Sequence, residues 1–391
     1  MSANVPELRF SGFADPWEQR KLGDLYRKCT EKNDGTYNTN SIISVAGMSY
    51  SPETRVTEQS YLGTYNVMRL GDIAFEGHAN RVFSHGRFVE NDLGIGIVSH
   101  IFDVFRPKVE YDLSYWRYAI NNESLMRNVL IRSTKASTMM HNLVTSDFLK
   151  QSIPVPTVAE QKKIGGVLVR LDSLIALHQR KHNQLSVLKG SLLEGMFPKP
   201  GSDVPELRFS GFADPWEQRK LGEVVAITMG QSPQGTSYTD NPNDAILVQG
   251  NADLKDGWVT PRVWTTEATK TAAAGSLIMS VRAPVGAMGK TRYDVVLGRG
   301  VAGLDGDEFL FQLLSKFEAE GYWFKVSVGS TFDSINGDDL RNAPIAYPHN
   351  ASERVQIGEA LGRLDSLIAL HQRKLEKLRA LKQSLLQKMF V

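Results

Sequence analysis

Two glycine-rich segments carry residue types that hold phosphate groups in nucleotide-binding proteins. Gly298 to Gly303, GRGVAG, has the G-x-G-x-x-G spacing of a dinucleotide-binding turn, and Ala287 to Thr291, AMGKT, matches the end of a phosphate-binding loop. In the first segment, the acidic residue expected about twenty positions later falls within a predicted helix. In the second, Pro284 occupies the place of the first glycine. The first segment is therefore predicted to be a glycine-rich turn, and the second is predicted not to be an ATPase site.

The tripeptide DPW at Asp15 and Asp214 is a partial match to the Asp-Pro-Pro-aromatic loop with which amino-methyltransferases hold a target base. The second proline is missing from both copies. No Pro-Asp pair starts an Asp…Glu-x-Lys nuclease pattern, and the eight histidines show no metal-ligand spacing. We therefore expect no catalytic centre, no metal site and no resident cofactor in this chain.

Composition bounds the class of protein. The chain has 391 residues, of which 41% are hydrophobic and 23% charged, and this length predicts two or more globular domains. Cys29 is the only cysteine, which excludes an intramolecular disulfide and favours a reducing compartment. No stretch approaches about 18 consecutive apolar residues, and the N-terminus has no leader pattern. We expect a cytoplasmic protein without a membrane segment.

The chain is a tandem duplication. Val5 to Gly23, VPELRFSGFADPWEQRKLG, recurs unchanged at Val204 to Gly222, and RLDSLIALHQRK occurs at Arg170 to Lys181 and again at Arg363 to Lys374. The segments between these blocks, 24–157 and 223–350, show almost no resemblance to each other. Shared ends thus bracket two divergent segments, which predicts a pseudo-twofold arrangement.

The repeated C-terminal blocks predict two long helices that pack against each other. Apolar residues recur every seven positions, with a second set three positions later. The predicted contact positions in the first helix are Ile164, Leu171, Leu174, Leu185 and Leu188. In the second helix they are Ile357, Leu364, Leu367, Leu378 and Leu381. Polar residues interrupt both rows at one layer, His178 with Lys181 and His371 with Lys374, and such a layer commonly fixes register.

The divergent segments are typical of mixed α/β domains. Short β-rich runs such as AILVQG and GSLIMSVRA alternate with turn residues, and EFLFQLLSKFEAEGYWF is predicted to be helical. The predicted organisation is α+β, with a repeated arm at 1–23, a domain at 24–157, a helix at 158–198, a linker and second arm at 199–222, a domain at 223–350 and a helix at 351–391.

This organisation resembles the specificity subunit of type I restriction-modification systems. The resemblance covers essentially the whole chain, and it includes the phrases MGQSPQGTSY, GDIAF, GSLIMSVRAPVG and GSTFDSINGDDLRNAPIAYP, which are similar to that family's target-recognition domains. The resemblance implies that each domain reads half of a split, asymmetric double-stranded DNA target, and that the helices form an antiparallel coiled coil. It also implies partners: two methyltransferase subunits and ATP-dependent restriction subunits. S-adenosylmethionine, ATP and magnesium would belong to those partners.

Amide, guanidinium and aromatic side chains in the divergent segments are the candidates for contact with DNA, because such groups read base edges. In the first segment the candidates are Tyr50, Asn80, Arg81, His85, Arg87, Arg132 and Lys135. In the second segment they are Gln231, Ser232, Tyr238, Gln249, Asn251, Lys255, Arg282, Lys290, Arg292 and Arg299. Ordinary loop polarity is the alternative interpretation for each of them.

The distribution of charge leaves other functions open. Segment 223–349 carries a net charge of −5, whereas 159–199 and 352–391 each carry +4. Because phosphate neutralisation normally supplies affinity for DNA, we expect tight binding to need a partner subunit. The alternatives are a DNA-binding regulator that acts alone, a self-contained methyltransferase and a protein-binding adaptor.

Overall fold

The computed structural model describes residues 4–51, 59–137, 140–327 and 334–391, and the statements that follow refer to them. Residues 329–333, which begin the phrase GSTFDSINGDDLRNAPIAYP, lie outside these ranges. The chain divides into two units, one made of Met1–Leu177 with Leu375–Val391 and the other of His178–Lys374. We call them unit 1 and unit 2. Each repeated helix contributes one part to each unit, and neither long helix is apolar enough to span a membrane.

In unit 1, the first arm and the first divergent segment form short strands and four α-helices, and they lead into the first long helix. The strands are β1 Glu18–Lys21, β2 Tyr26–Cys29, β3 Ile43–Ser44, β4 Ser49–Tyr50, β5 Asn66–Met68, β6 Ile73–Glu76, β7 Arg87–Glu90, β8 Gly96–Val98, β9 Val104–Pro107, β10 Thr134–Ala136, β11 His141–Leu143 and β12 Ser152–Val155. The helices are α1 Leu22–Leu25, α2 Leu113–Ala119, α3 Glu123–Ser133, α4 Thr145–Lys150 and α5 Val158–Gly195.

In unit 2, the second divergent segment forms a similar series. The strands are β13 Glu217–Lys220, β14 Ile227–Met229, β15 Tyr238–Thr239, β16 Ala245–Val248, β17 Leu254–Lys255, β18 Trp258–Val259, β19 Val263–Thr265, β20 Thr271–Ala272, β21 Leu277–Ser280, β22 Met288–Lys290, β23 Val295–Leu297, β24 Val301–Leu304 and β25 Pro344–Tyr347. The helices are α6 Leu221–Val224, α7 Glu308–Ala319, α8 Tyr322–Ser327, α9 Gly337–Arg341 and α10 Ala351–Lys388.

The two divergent segments share a sheet topology despite their different sequences. Unit 1 has a four-stranded sheet in the order β2-β9-β6-β7, and unit 2 begins its six-stranded sheet with β14-β24-β21-β22. All of these neighbours are antiparallel. The hairpin β6–β7 therefore corresponds to β21–β22. The mixed α and β content and the duplication match the prediction.

Helix boundaries follow local capping. The Asp307 side chain accepts the main-chain N–H of Leu310 and starts α7. The single helix predicted from EFLFQLLSKFEAEGYWF is in fact two, because the chain breaks at Gly321, whose φ of +70° favours glycine. Buried Phe309, Leu310 and Leu314 then attach α7 to the core of unit 2.

Each repeated arm is tied to the start of a long helix by a buried ion pair. In unit 1, the Arg9 guanidinium donates to both carboxylate oxygens of Glu160, at 2.7 and 2.9 Å. In unit 2, Arg208 makes the same two bonds to Glu353, at 2.6 and 2.9 Å. The strand that follows each arm pairs with the strand that precedes the long helix, β1 with β12 and β13 with β25. The identical arms thus make equivalent contacts.

One of the two predicted rows is buried or half-buried along both helices, whereas the other is exposed, so the prediction that the second row is covered is wrong. Ile164, Leu171 and Ile357 are buried, and Leu185, Leu364 and Leu378 are half-buried, as a contact row requires. The side chains predicted three positions later are exposed instead. These are Leu174, Leu188, Leu367 and Leu381, which are 43% to 48% exposed, together with Lys181 and Lys374.

The second contact row lies one residue further along each helix. Leu168, Leu361 and Leu375 have no exposed surface, and Ile175 and Ile368 are half-buried. The spacing between rows is therefore four and then three residues, which is also a heptad pattern. A second row three residues after the first and one four residues after it are both apolar. The observed burial selects the row four residues later.

Polar contacts show that the helix segments within unit 2 run in opposite directions. His178 lies opposite His371, with 2.7 Å between their Nδ1 atoms, and Lys189 Nζ lies 2.6 Å from Asp365 Oδ1. As residue numbers rise along α5, those of their partners on α10 fall. The predicted polar layer therefore contains the two histidines, while the two lysines at that layer point away.

Candidate nucleic-acid interface

Loops of unit 2 meet at the ends of four strands and form a polar cleft. The turn between β23 and β24 is bonded to β16 through the Gly298 N–H and the Val248 carbonyl at 2.8 Å. Its Gly300 carbonyl also accepts the N–H of Val281, the residue that follows β21, at 2.9 Å. A Cβ at Gly300 would lie 2.0 Å from the Gln249 carbonyl oxygen. Glycine is therefore required where these loops touch.

Five predicted DNA-contacting residues line this cleft of about 240 Å³. They are Ser232, Gln249, Asn251, Arg282 and Arg299. The guanidinium groups of Arg282 and Arg299 are exposed, and neither has an acidic partner among the described residues. The cleft thus offers two unneutralised cations beside two amide side chains, which is the set of groups that binds phosphates and base edges.

Hydrogen bonds position several of these side chains. The Ser232 hydroxyl accepts the main-chain N–H of Arg299 at 3.1 Å, and the Gln249 amide donates to the Tyr238 hydroxyl at 3.1 Å. Gln231 is exposed and lies beside the same cleft, with its main-chain N–H bonded to the Leu297 carbonyl. The Ser232 and Gln249 side chains are therefore held in place by hydrogen bonds within unit 2.

Sequence reasoning missed Arg262, which lies at an adjoining depression lined by Gln249, Asn251 and Asp253. Its guanidinium is 3.6 Å from the buried Asp253 carboxylate. Its position in the turn TPRVW, between two short strands, was the available signal.

Three predicted residues of unit 2 lie apart from the cleft. Lys290 forms an ion pair with Glu308 at 2.7 Å, and its ammonium lies over two aromatic rings, so a structural role accounts for it. Arg292 stacks on the Trp258 ring at 4.1 Å. Lys255 is exposed on the β17–β18 hairpin.

In unit 1, three of the seven candidates, Asn80, Arg81 and His85, belong to the loop between β6 and β7, and Arg87 begins β7. The Asn80 side-chain oxygen accepts the main-chain N–H groups of Val82 and Phe83 at 2.8 and 2.9 Å, which fixes the tip. Arg81 is exposed at that tip. Arg87 is occupied, because its guanidinium donates to the Glu76 carboxylate at 2.8 Å.

The remaining candidates of unit 1 are separate from that tip. His85 stacks on His141, and burial together with that neighbour lowers the pKa of His85. The Tyr50 hydroxyl donates to the Ile95 carbonyl at 3.1 Å. Arg132 and Lys135 are exposed near the end of α3.

The motifs rejected from the sequence occupy turns and strands. Gly298 to Gly300 form the turn between β23 and β24, and Val301 to Gly303 lie within β24. The central residues of AMGKT form β22. Neither segment opens directly into the helix that a nucleotide phosphate would need. Among the described residues, no three metal-ligating side chains lie together.

Comparison with known proteins identifies relatives. The model of the type I restriction modification DNA specificity domain matches residues 14–187 and 213–380. The MjaX type I restriction enzyme specificity subunit of Methanocaldococcus jannaschii is 22% identical over 410 residues, which cover 98% of this chain and 95% of that relative. The MjaVIII specificity subunit of the same organism is 22% identical over 291 residues, which cover 69% of this chain and 68% of that relative.

Solved structures show the same fold. One chain, from work on complex assembly and conformational transition of the type I R-M system, superposes with a TM-score of 0.52 at 25% identity, covering 95% of this chain and 97% of that one. The type I restriction-modification S subunit from M. genitalium gives a TM-score of 0.61 at 15% identity, covering 99% of both chains.

Proposed function

Because the chain belongs to the type I restriction-modification DNA specificity family, it is a non-catalytic, DNA-recognising specificity subunit, and we propose that its two units read the two halves of one split, asymmetric target. The observation that carries this proposal is the pair of equivalent hairpins, β6–β7 and β21–β22, which present different side chains on the same topology. Two different readers in one chain recognise two different half-sites, so the target is not a palindrome.

Arginines support the assignment of one half-site to each unit. Arg81 and Arg282 are both exposed, each in the loop of its hairpin, and neither has an acidic partner among the described residues. A guanidinium in this state can donate two bonds to the O6 and N7 atoms of guanine. The cleft beside Arg282 adds the amides of Gln249 and Asn251, which suit adenine.

We also propose that partner subunits dock on the exposed leucines of the long helices. Leu174 and Leu177, and their equivalents Leu367 and Leu370, are 39% to 43% exposed although they lie on helices that already bury another row. Exposed apolar patches of this kind mark protein contacts. The partners that fit are two methyltransferase subunits, one for each copy, together with restriction subunits. S-adenosylmethionine, ATP and magnesium would act in those partners.

The test is to map methylated bases in cells that express the partner methyltransferase subunit, with and without this chain. We expect methylation of one split, asymmetric motif only when the chain is present. Arg81→Ala should relax one half of the motif and Arg282→Ala the other, each by roughly 5- to 150-fold. Lys150→Ala, which removes an exposed cation from α4, should change neither half.

Two results would contradict this function. Methylation that is indifferent to the chain would favour the adaptor. Sequence-specific binding by the isolated chain without any effect on methylation would favour the independent regulator. Equal weakening of both half-sites by each arginine variant would reject the assignment of one half-site to each unit.

A further inference from the structure

Two loops, which we call the reading loops, share the same order of charged and apolar side chains. They are residues 77–86 between β6 and β7, and residues 281–287 between β21 and β22. In each, an exposed arginine is followed by an exposed apolar side chain and then by a half-buried apolar one: Arg81, Val82 and Phe83 in unit 1, and Arg282, Ala283 with Pro284, and Val285 in unit 2. Val82 is 64% exposed.

The first reading loop holds Val82 outward on a rigid base. The Asn80 side chain accepts the Val82 main-chain N–H at 2.8 Å, and the Asn80 N–H donates to the Phe83 carbonyl at 2.9 Å. The Arg87 guanidinium lies over the Phe83 ring at 5.3 Å. Gly86 closes the loop with a φ of +78°, where a Cβ would lie 2.6 Å from the Glu76 carbonyl oxygen.

The second reading loop is fixed in a comparable way. The Gly286 N–H donates to the Ser280 carbonyl at 2.8 Å, and the Ser280 hydroxyl donates to the Arg282 carbonyl at 2.9 Å. Gly286 has a φ of +93° and lies against the buried Trp323 ring, where a Cβ would come within 2.5 Å. Val285 packs on the core of unit 2. Ala283 is therefore held at the surface beside Arg282.

The thymine methyl group is the apolar feature of the major groove, and short apolar side chains contact it. Val82 and Ala283 are too short to separate stacked bases but long enough to reach a methyl group at the groove floor. We propose that each reading loop recognises a guanine through its arginine and a neighbouring thymine through a methyl contact, made by Val82 in unit 1 and by Ala283 in unit 2. This inference rests on the proposed function and names the bases that each unit reads.

The experiment measures binding of the assembled specificity and methyltransferase complex to a duplex that contains the mapped target. Each thymine of the target is replaced in turn by deoxyuridine, which lacks only the methyl group. We expect one replacement in each half-site to weaken binding by about fourfold, the effect of one buried methyl group. Val82→Ser should abolish the thymine preference in one half-site and Ala283→Ser in the other, whereas Val82→Ile should keep it.

The outcomes separate the two proposals. If a split motif is methylated but every deoxyuridine duplex binds as tightly as its thymine counterpart, the methyl contact is wrong and the proposed function stands. If deoxyuridine weakens binding equally for the wild-type chain and for the serine variants, other residues read the methyl group and the inference is also overturned. If no split motif depends on the chain, both proposals fail. Unchanged thermal midpoints would show that the variants fold.

Discussion

Replacing leucines of the long helices one row at a time tests the observed helix register. Leu168 has no exposed surface, whereas Leu174, six residues later, is 43% exposed. Removing a fully buried leucine side chain costs about 2–5 kcal/mol of unfolding free energy, because contacts are lost and a cavity remains. For a unit of this size, that loss lowers the melting temperature by roughly 4–20 °C. Leu174→Ala should change it by no more than about 2 °C, because exposed substitutions cost about 0.5 kcal/mol or less.

The assay is thermal unfolding of the purified chain, read by circular dichroism, with Leu361→Ala and Leu367→Ala as the matched pair in the second copy. Leu361 is fully buried and Leu367 is 43% exposed, so the pattern should repeat. Methyltransferase binding provides the second measurement, and Leu174→Ser and Leu367→Ser should weaken it. A large loss of stability from Leu174→Ala, with little loss from Leu168→Ala, would show that the helices use the register predicted from the sequence and refute the one described above.

Further predictions concern stability. Gly165→Ala should destabilise unit 1 by about 1–3 kcal/mol, because a Cβ there would lie 2.5 Å from a main-chain nitrogen at the start of α2, whereas Gly166→Ala should stabilise it by up to about 1 kcal/mol. Arg208→Ala should cost about 3–5 kcal/mol, because it leaves the buried Glu353 carboxylate without its cation. Burial raises the pKa of Glu90 from 4.5 to about 9, so the folded chain holds a proton that the unfolded chain releases. The contribution of Glu90 to stability should therefore be fully present below pH 4.5 and fall by about 1.4 kcal/mol per pH unit as the pH rises from there towards 9, and Glu90→Gln should remove this slope.

Each of these tests has a direct control and a contrary outcome. Lys199→Ala breaks an exposed ion pair and should lower the free energy of unfolding, measured with denaturant, by less than about 1 kcal/mol. If it costs as much as Arg208→Ala, burial is not what makes the Arg208–Glu353 pair important. If Gly165→Ala and Gly166→Ala change the stability equally, then α2 does not lie against Gly165 as described. Parallel stability curves for wild type and Glu90→Gln between pH 5 and 8 would show that Glu90 is ionised in the folded chain.

The sequence predicts the long helices well and their register only in part. Both copies place apolar side chains on three rows, so Ile164 can be paired either with Val167 or with Leu168. Periodicity alone does not separate these choices. Leu168 and Ile164 are both buried in the core of unit 1, whose other members, such as Trp17 and Tyr115, come from distant parts of the chain. The sequence of the helix does not contain that information.

The sequence predicts which residue types line the candidate interface, but not which of these residues form ion pairs within the protein. The sequence predicts Arg282 and Arg299 as DNA contacts because they are guanidinium groups in turn-rich segments, and both line one cleft. The same reasoning predicts Lys290, yet Glu308, eighteen residues later at the start of α7, pairs with it. Whether a cation is free depends on such distant contacts, which residue type and local turn pattern do not reveal.

The histidine contact between α5 and α10 has a consequence for the symmetry of the duplicated protein. His178 and His371 are the same residue of the two repeats, and their Nδ1 atoms lie 2.7 Å apart. Burial and the neighbouring His178 lower the pKa of His371, which favours its uncharged ring. Only one proton fits between two Nδ1 atoms at this distance, so one ring must donate it and the other must accept it. Identical sequences must therefore differ in the proton carried at Nδ1, and a single hydrogen atom makes the two halves of the repeat chemically distinct.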